Sequence, residues 1–389
     1  MKAMGLLTGL ALVVVGAMVG CGSDKDDGAA NGDGAGGNTI LDPNDGGEGA
    51  GPTKKRECNP QPGCNDLQVE FESVVPTVMI LVDRSSSMFD TPFGNSPNRW
   101  QPLKEALIGE NGVLRELHGA VRFGFATYTH QQVNGAAACP LMDVIDIATA
   151  TDSFDSIVNL YDEVSVDPAT TGSNPLTYKG ETPTGAAIRA VLPVLEADQA
   201  PGPKFLLLVT DGEPDTCAEP DPQCGQDEAI AAVQEAFAKN IRTFVIGVGE
   251  IGRDHLQDLA NAGAGQPVQR RTPQADCDPP TLGSYEPSGG DARYYRPENP
   301  ADLRDDIGRI VGGVRSCEFK LSEEVDLEKA DKGTVLLDCE GLPYDDANGW
   351  RMTSPTDLEL VGDACTTIKT TIRPDLYITF PCESYVVVR

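Results

Sequence analysis

Two runs of unbroken apolar residues, each stopped by an aspartate, constrain this chain more than any other feature. Val78–Val82 reads Val-Met-Ile-Leu-Val and ends in Asp83, and Phe205–Val209 reads Phe-Leu-Leu-Leu-Val and ends in Thr210-Asp211. A strand with one wet face alternates apolar and polar residues. A run without a polar position is buried on both faces, as in a parallel sheet. Thr243–Gly249 repeats the pattern, and helix-like stretches separate the runs. That alternation predicts an α/β fold with a doubly wound, mostly parallel sheet.

In open sheets of this kind ligands bind beyond the carboxyl ends of the strands. Asp83, Ser85 and Ser87 stand there, a carboxylate and two hydroxyls at alternate positions able to turn their oxygens to one point. Oxygen-only donors suit a hard cation such as Mg²⁺, Mn²⁺ or Ca²⁺. The plain alternative is a serine-rich turn whose hydroxyls bond nearby backbone. Two further stretches bear on that choice: Gly180-Glu-Thr-Pro-Thr-Gly-Ala-Ala-Ile188, which opens a helix, and Lys204–Asp215, which contains Asp211. Thr182 has its own plain reading as the cap of a helix starting at Pro183.

Together the three segments resemble the von Willebrand factor type A family, whose metal-ion-dependent adhesion site uses Asp-x-Ser-x-Ser, then Thr, then Asp. Asp83, Ser85, Ser87, Thr182 and Asp211 fill those positions in order. The likeness spans roughly Asp66 to Ser316. It implies that Ser85 and Ser87 bind the cation directly and that Thr182 joins them when a ligand engages. Asp83 and Asp211 would act largely through water and balance charge. One coordination position would stay open for an acidic residue of a partner protein. Mg²⁺ is the expected ion, with Mn²⁺ or Ca²⁺ as alternatives.

The chain has 389 residues, too many for one ordinary domain, and its formal charge is −30. No basic stripe is present to meet phosphates, so nucleic acid is excluded as a partner, and docking on anionic lipid by charge is disfavoured. The 11 cysteines point to an oxidising compartment. Met1-Lys2 and the apolar run Ala3–Val19 read as a secretory signal, and Met18-Val-Gly-Cys21 resembles a bacterial lipobox in which Met18 stands where leucine is usual. An uncleaved membrane anchor is the alternative. The expected organisation is a lipoprotein signal at 1–20, a tether lipidated at Cys21 over 21–66, the A-type domain at 67–316 and a small β module at 317–389. The tether is rich in Gly, Asp and Asn and too poor in apolar residues to fold. Gly22 after Cys21 matches outer-membrane lipoproteins, so the expected location is the cell envelope, periplasmic or surface-exposed.

Within the A-type domain, Trp100, Leu103, Leu107, Leu114 and Leu117 predict a helix interrupted at Gly109 and Gly112, and Ser153 reads as the cap of a helix through Val164. Arg122–Thr129 and Asp143–Ala148 read as paired strands, Asp227–Asn240 and Arg253–Ala262 as helices, Tyr294-Tyr295 as a last strand and Pro300–Val314 as the closing helix. Cys217 and Cys224 bound a short insertion and are expected to pair, as are Cys58 with Cys64 and Cys139 with Cys277. Asp215 and Asp221 in that insertion are read as solvated loop acids, with a second ion as the alternative. From Cys317 onward, short alternating runs such as Thr334–Leu337, Asp357–Val361 and Leu376–Phe380 predict an all-β module stapled by Cys317, Cys339, Cys365 and Cys382, in any of the possible connectivities.

The functional expectation is metal-dependent binding of a protein partner, in adhesion or assembly at the envelope. A hydrolase is the rival. His118, His130 and His255 are the histidines, no Gly-x-Ser-x-Gly elbow exists, and metal-ligating serines without a base make poor nucleophiles. His130, following a strand, is the one placed to approach the metal loop; the chain is nonetheless read as not an enzyme. A structural envelope protein whose ion only stabilises the fold is the other alternative. Relatives that serve ATPase motors are set aside because the signal and cysteines place this chain away from cytosolic ATP.

Overall fold

The computed structural model describes residues 66–68, 71–73, 75–133, 136–145, 153–165, 179–218, 225–249, 251–268, 290–371 and 374–386. Two short strands come first, β1 (Asp66–Gln68) and β2 (Phe71–Ser73). Then follow β3 (Thr77–Asp83), α1 (Ser87–Asp90), α2 (Trp100–Ile108), α3 (Val113–Leu117), β4 (Arg122–Val133), β5 (Ala136–Ile145), α4 (Phe154–Glu163), β6 (Lys179–Glu181) and α5 (Thr184–Ala197). The α/β part closes with β7 (Lys204–Thr210), α6 (Gln226–Ala238), β8 (Ile241–Gly247), α7 (Arg253–Gly263) and α8 (Pro300–Gly313). Beyond it lie β9 (Glu318–Leu321), β10 (Thr334–Leu337), β11 (Glu340–Leu342), β12 (Trp350–Ser354), β13 (Asp357–Leu360), α9 (Gly362–Thr370) and β14 (Leu376–Pro381).

The large sheet has the order β5-β4-β3-β7-β8, with β6 also beside β4. β3 is central and parallel to both neighbours, and β8 continues in parallel. The unbroken apolar runs are explained by helices on both faces. Val78, Ile80 and Val82 point into a core shared with α2, α4 and α8, through residues such as Leu103, Tyr161 and Ile307. Met79 and Leu81 point the other way, into a core with Ile188 of α5, Ile230 of α6 and Leu259 of α7. All seven residues of β3 are buried. Alternation is present, but both destinations are dry.

The expected strands are longer or shorter in places. β5 begins at Ala136, well before Asp143, and contains Pro140; it is an edge strand paired antiparallel to β4 with a register shift near Thr129, which is where proline is tolerated. The long helical stretch divides into α2 and α3, with Gly109 as the cap of α2. Tyr295 makes only an isolated parallel bridge to Ile246, so the expected last strand is a single contact. Ser153 precedes α4 but its hydroxyl donates to the Phe123 carbonyl at 2.8 Å and caps nothing. A buried hydroxyl that meets a strand carbonyl is taken by the sheet and not by the helix end.

The C-terminal module stacks two antiparallel sheets, β1-β14-β10-β11 and β12-β13-β9-β2, around Phe319, Trp350, Leu358 and Phe380. β9 reads exposed-buried-exposed-buried as expected, whereas β14 is buried without a break from Tyr377 to Phe380. β1 and β2, which precede the α/β part in sequence, complete its sheets, and α9 packs Ala364 and Ile368 into its core.

The cysteine expectations are corrected. Cys217 is bonded to Cys139, 78 residues away, with Cα atoms 5.5 Å apart, so neither the Cys217–Cys224 loop nor Cys139–Cys277 forms; Cys224 and Cys277 lie outside the described residues. Closeness in sequence favours a short loop only when no strand edge passes nearer, and here β5 does. Cys317 is bonded to Cys365, so one of the expected staples of the module forms; Cys339 is also disulfide-bonded, but Cys382 is a free, exposed thiol and takes part in none. Cys21, Cys58, Cys64 and Asp221 lie outside the described residues. Among the described residues no helix is long and apolar enough to cross a membrane.

Candidate metal centre

Parallel pairing brings the two aspartates together. Val82 lies opposite Val209, so β3 and β7 end side by side and deliver Asp83, Thr210 and Asp211 to one edge of the sheet. Asp83 is fully buried and ties the two loops together. Its Oδ1 accepts from the Ser85 N–H at 2.8 Å, and its Oδ2 accepts from the Thr210 hydroxyl at 2.7 Å and the Asp211 N–H at 3.5 Å. Ser85 and Ser87 then project toward Asp211. Ser87 Oγ lies 2.8 Å from Asp211 Oδ1, Ser85 Oγ lies 3.2 Å from it, and the two hydroxyl oxygens are 3.1 Å apart.

Those three oxygens form a triangle. Adjacent ligands around an octahedral Mg²⁺, with bonds of about 2.1 Å, stand about 3.0 Å from each other. The spacing thus suits a face of such an octahedron, and neutral hydroxyls with one carboxylate are hard-cation donors. Among the described residues no cluster of His, Cys, Asp or Glu side chains offers another metal set.

Thr182 arrives from the other side. β6 runs beside β4, and Gly180 in it holds φ +62°, its carbonyl accepting from the Ser86 N–H at 3.0 Å. A side chain at Gly180 would collide with the Ser86 backbone, so only glycine lets β6 lie this close to the metal loop. Thr182 is 5% exposed, and its Oγ1 lies 3.6 Å from where a Cβ on Gly212 would stand. It therefore borders the Asp211 loop, but its hydroxyl makes no hydrogen bond to Ser85, Ser87 or Asp211. Nor does it cap α5, which starts at Thr184 with Pro183 in the capping position and no side-chain cap.

Two residues outside the motif complete the site. Arg99, 7% exposed, directs Nη1 at Asp211 Oδ2 at 2.7 Å, turning Oδ1 toward the serines. Its guanidinium passes Gly249, where a Cβ would sit 2.8 Å from Arg99 Cζ and 2.6 Å from the Asp211 carbonyl. Asp215, expected as a solvated acid, is 2% exposed and clasps Thr182 from both ends: its Oδ2 accepts from the Thr182 N–H at 3.0 Å, and its own N–H donates to the Thr182 carbonyl at 2.9 Å. The Cys139–Cys217 bond then ties this loop to β5. No sequence signal marked Arg99, which sits in an Asn-Arg-Trp stretch with no motif. Asp215 could have been found from its place in Gly-Glu-Pro-Asp, four residues after Asp211.

Burial leaves its mark on the acids. Desolvation, with the Asp211 charge added, pushes the Asp83 carboxyl up to about 7 against hydrogen bonds from Thr210 and Ser85. Desolvation, then Glu181 and Asp83, push Asp215 up to about 7 against the Thr182 N–H. His130 is buried on β4 opposite Glu181, and desolvation lowers its pKa. His130 thus lies in the sheet beside the site, one register position from the Thr182 segment.

A model of the von Willebrand factor type A domain matches residues 77–274. No curated relative matches the chain. Among solved structures, the PilB minor pilin from Streptococcus sanguinis is 12% identical with a TM-score of 0.40, over 62% of this chain and 62% of that one. The SpaC pilus adhesin from Lactobacillus rhamnosus GG is 11% identical with a TM-score of 0.43, over 79% and 39%. The manganese-loaded TRAP protein of Plasmodium vivax is 14% identical with a TM-score of 0.39, over 66% and 80%. The chain thus spans less than two thirds of the pilin and of the adhesin.

Proposed function

The chain belongs to the von Willebrand factor type A domain family, and from that premise we propose that it is a lipid-anchored envelope protein that holds a divalent cation, Mg²⁺ foremost, and uses it to bind an acidic residue of a protein partner. The family fits a protein-binding, non-enzymatic role. The observation that carries the finer reading is the triangle of Ser85 Oγ, Ser87 Oγ and Asp211 Oδ1, 2.8–3.2 Å on a side. Ser85, Ser87 and Thr182 would hold the ion, with Asp83 and Asp211 balancing its charge. Bound there, a cation supplies an electrophilic open position that a carboxylate can fill. Specificity would come from the surface around it.

Arg99 tunes this site. Two carboxylates and one guanidinium leave a single net negative charge beside the hydroxyls, less than the two acids alone would present to an ion. That favours modest affinity and an ion still hungry for a partner's carboxylate.

Calorimetric titration of Mg²⁺, Mn²⁺ and Ca²⁺ into the full chain in detergent tests the reading, alongside Ser87→Ala. One saturable site, lost in the variant while its fold persists, is the expected result. A folded wild-type chain that takes up none of the three ions sinks it. Lipid anchoring has its own test: metabolic labelling of Cys21 should vanish in Cys21→Ala.

A further inference from the structure

On the far side of the closing helix, α3, α8 and α9 enclose a cleft of about 340 Å³. The chain carries twice as many acids as bases, 60 against 30, yet Arg304, Arg309, Arg315 and Lys369 line this cleft against only Glu116 and Asp305. Two of the cations have acids at hand. Arg304 reaches Glu116 at 3.5 Å and Arg309 reaches Asp306 at 2.6 Å. The other two do not. Arg315 is 8% exposed, and the one hydrogen bond of its side chain among the described residues runs from Nη1 to the Thr371 carbonyl at 2.7 Å. Lys369, half-buried in the last turn of α9, has no ion pair among the described residues.

A buried guanidinium without a counter-charge is costly. The Thr371 carbonyl, at the C-terminal end of α9, carries a fraction of a charge and engages one of several N–H donors. Burial lowers the Arg315 pKa with no acid to raise it again. What remains of its donor fork borders open space large enough for a small molecule. The placement is also rigid. Cys317, two residues beyond Arg315, is bonded to Cys365, four residues before Lys369, and Gly312 lies so close to the Lys369 carbonyl that no Cβ fits between.

We propose that this cleft binds a small oxyanion, a carboxylate, sulfate or phosphate group, between Arg315 and Lys369, with the exposed Arg309 as the third cation of its wall. A planar fork and a point charge on facing elements make a bidentate clasp for such a group. Because Arg315 follows α8 and Lys369 belongs to the module, the occupant bridges the α/β part and the module. The site is independent of the cation centre.

The experiment is calorimetry on the full chain with sodium sulfate, phosphate and acetate, each against sodium chloride at equal ionic strength. Saturable binding beyond the chloride control is expected, weakened about tenfold in Lys369→Ala and further in Arg315→Gln. Tighter acetate than sulfate would assign the site to a carboxylate ligand, and the reverse order to sulfate or phosphate. No saturable uptake of any of the three by the folded wild type, or unchanged affinity in Lys369→Ala, overturns the proposal. If Arg315→Gln does not fold, Lys369→Ala decides alone, since that lysine has no ion pair to lose.

Discussion

The cation centre and the α8–α9 cleft are both places where buried charge fails to cancel, and they fail in opposite directions. At the sheet edge, Asp83 and Asp211 face one guanidinium, Arg99. In the cleft, Arg315 and Lys369 have no ion pair among the described residues, and of its two acids Glu116 is engaged by Arg304. Each is braced by a disulfide, Cys139–Cys217 beside the first and Cys317–Cys365 beside the second. The difference lies in how each imbalance is softened. Carboxylates can take up protons, and the two buried acids Asp83 and Asp215 are pushed up to about 7. A guanidinium cannot shed its proton in this range. A surplus of acid can wait for its cation; a surplus of arginine needs its anion at every pH.

The largest expected effect comes from upsetting the one ion pair the cation centre has. Asp211→Ala leaves Arg99 buried without a partner and should cost about 3–5 kcal/mol in urea unfolding of the metal-free chain. Arg99→Met should instead cost less when Mg²⁺ is present than when it is absent, because the ion replaces the missing positive charge. Equal losses with and without Mg²⁺ would show that Arg99 and a cation do not share Asp211.

Next come the braces. Replacing Cys139 and Cys217 by alanine should cost about 2–4 kcal/mol, and so should replacing Cys317 and Cys365. Their separations, 78 and 48 residues, differ too little to matter: the loop-entropy difference is about 0.4 kcal/mol. What should separate the two variants is which ligand they lose. Cation affinity should fall in the first and oxyanion affinity in the second, read by calorimetry, and a crossed result would break the pairing of brace with site.

That contrast also explains how much could be read in advance. Asp83, Ser85, Ser87 and Asp211 sit in short motifs at the ends of apolar runs, which order along the chain assigns to one sheet edge, whereas Thr182 follows no such run and is joined to them only by the family resemblance. Arg99 was invisible as a site residue because its role depends on a close backbone approach at Gly249, and Asp215 reads in the sequence as a solvated loop acid because its clasp on Thr182 is made only in the fold. The parallel sheet was legible because burial on both faces removes polar positions altogether. The module was legible only as alternation: nothing in Asp66–Ser73 announces that β1 and β2 would cross to pair with β14 and β9. The Cys217 expectation failed for the same reason, since a bond across 78 residues is decided by a strand edge.

A smaller effect separates the sites by pH. In the metal-free chain Asp83 and Asp215 bind protons more tightly folded than unfolded, where carboxylates titrate near 3.8. Between about pH 4 and 7 the folded state therefore holds more protons, and stability should fall as pH rises through that window. Cation binding should strengthen over the same window, because the ion competes with those protons. Oxyanion binding at Arg315 and Lys369 should stay level. Urea midpoints at several pH values, with and without Mg²⁺, check the sign; stability that rises from pH 4 to 7 without metal would contradict the buried, protonated acids.

The smallest effect is the most telling for the cleft. In chloride, Lys369→Ala removes a half-buried side chain with no ion pair and should shift stability by no more than about 0.5 kcal/mol. Sulfate complicates the comparison, because it stabilises folded proteins generally by exclusion from their surface. That general term is common to wild type and variant and cancels in their difference. Specific binding does not cancel. At sulfate near ten times its Kd, the wild type should gain about 1.4 kcal/mol over the general term, and the variant, with affinity weakened about tenfold, about 0.4 kcal/mol. A gap of about 1 kcal/mol that opens in sulfate and closes in chloride is the signature of an anion held by Lys369, and parallel curves in the two salts would mean that Arg315 carries its charge uncompensated.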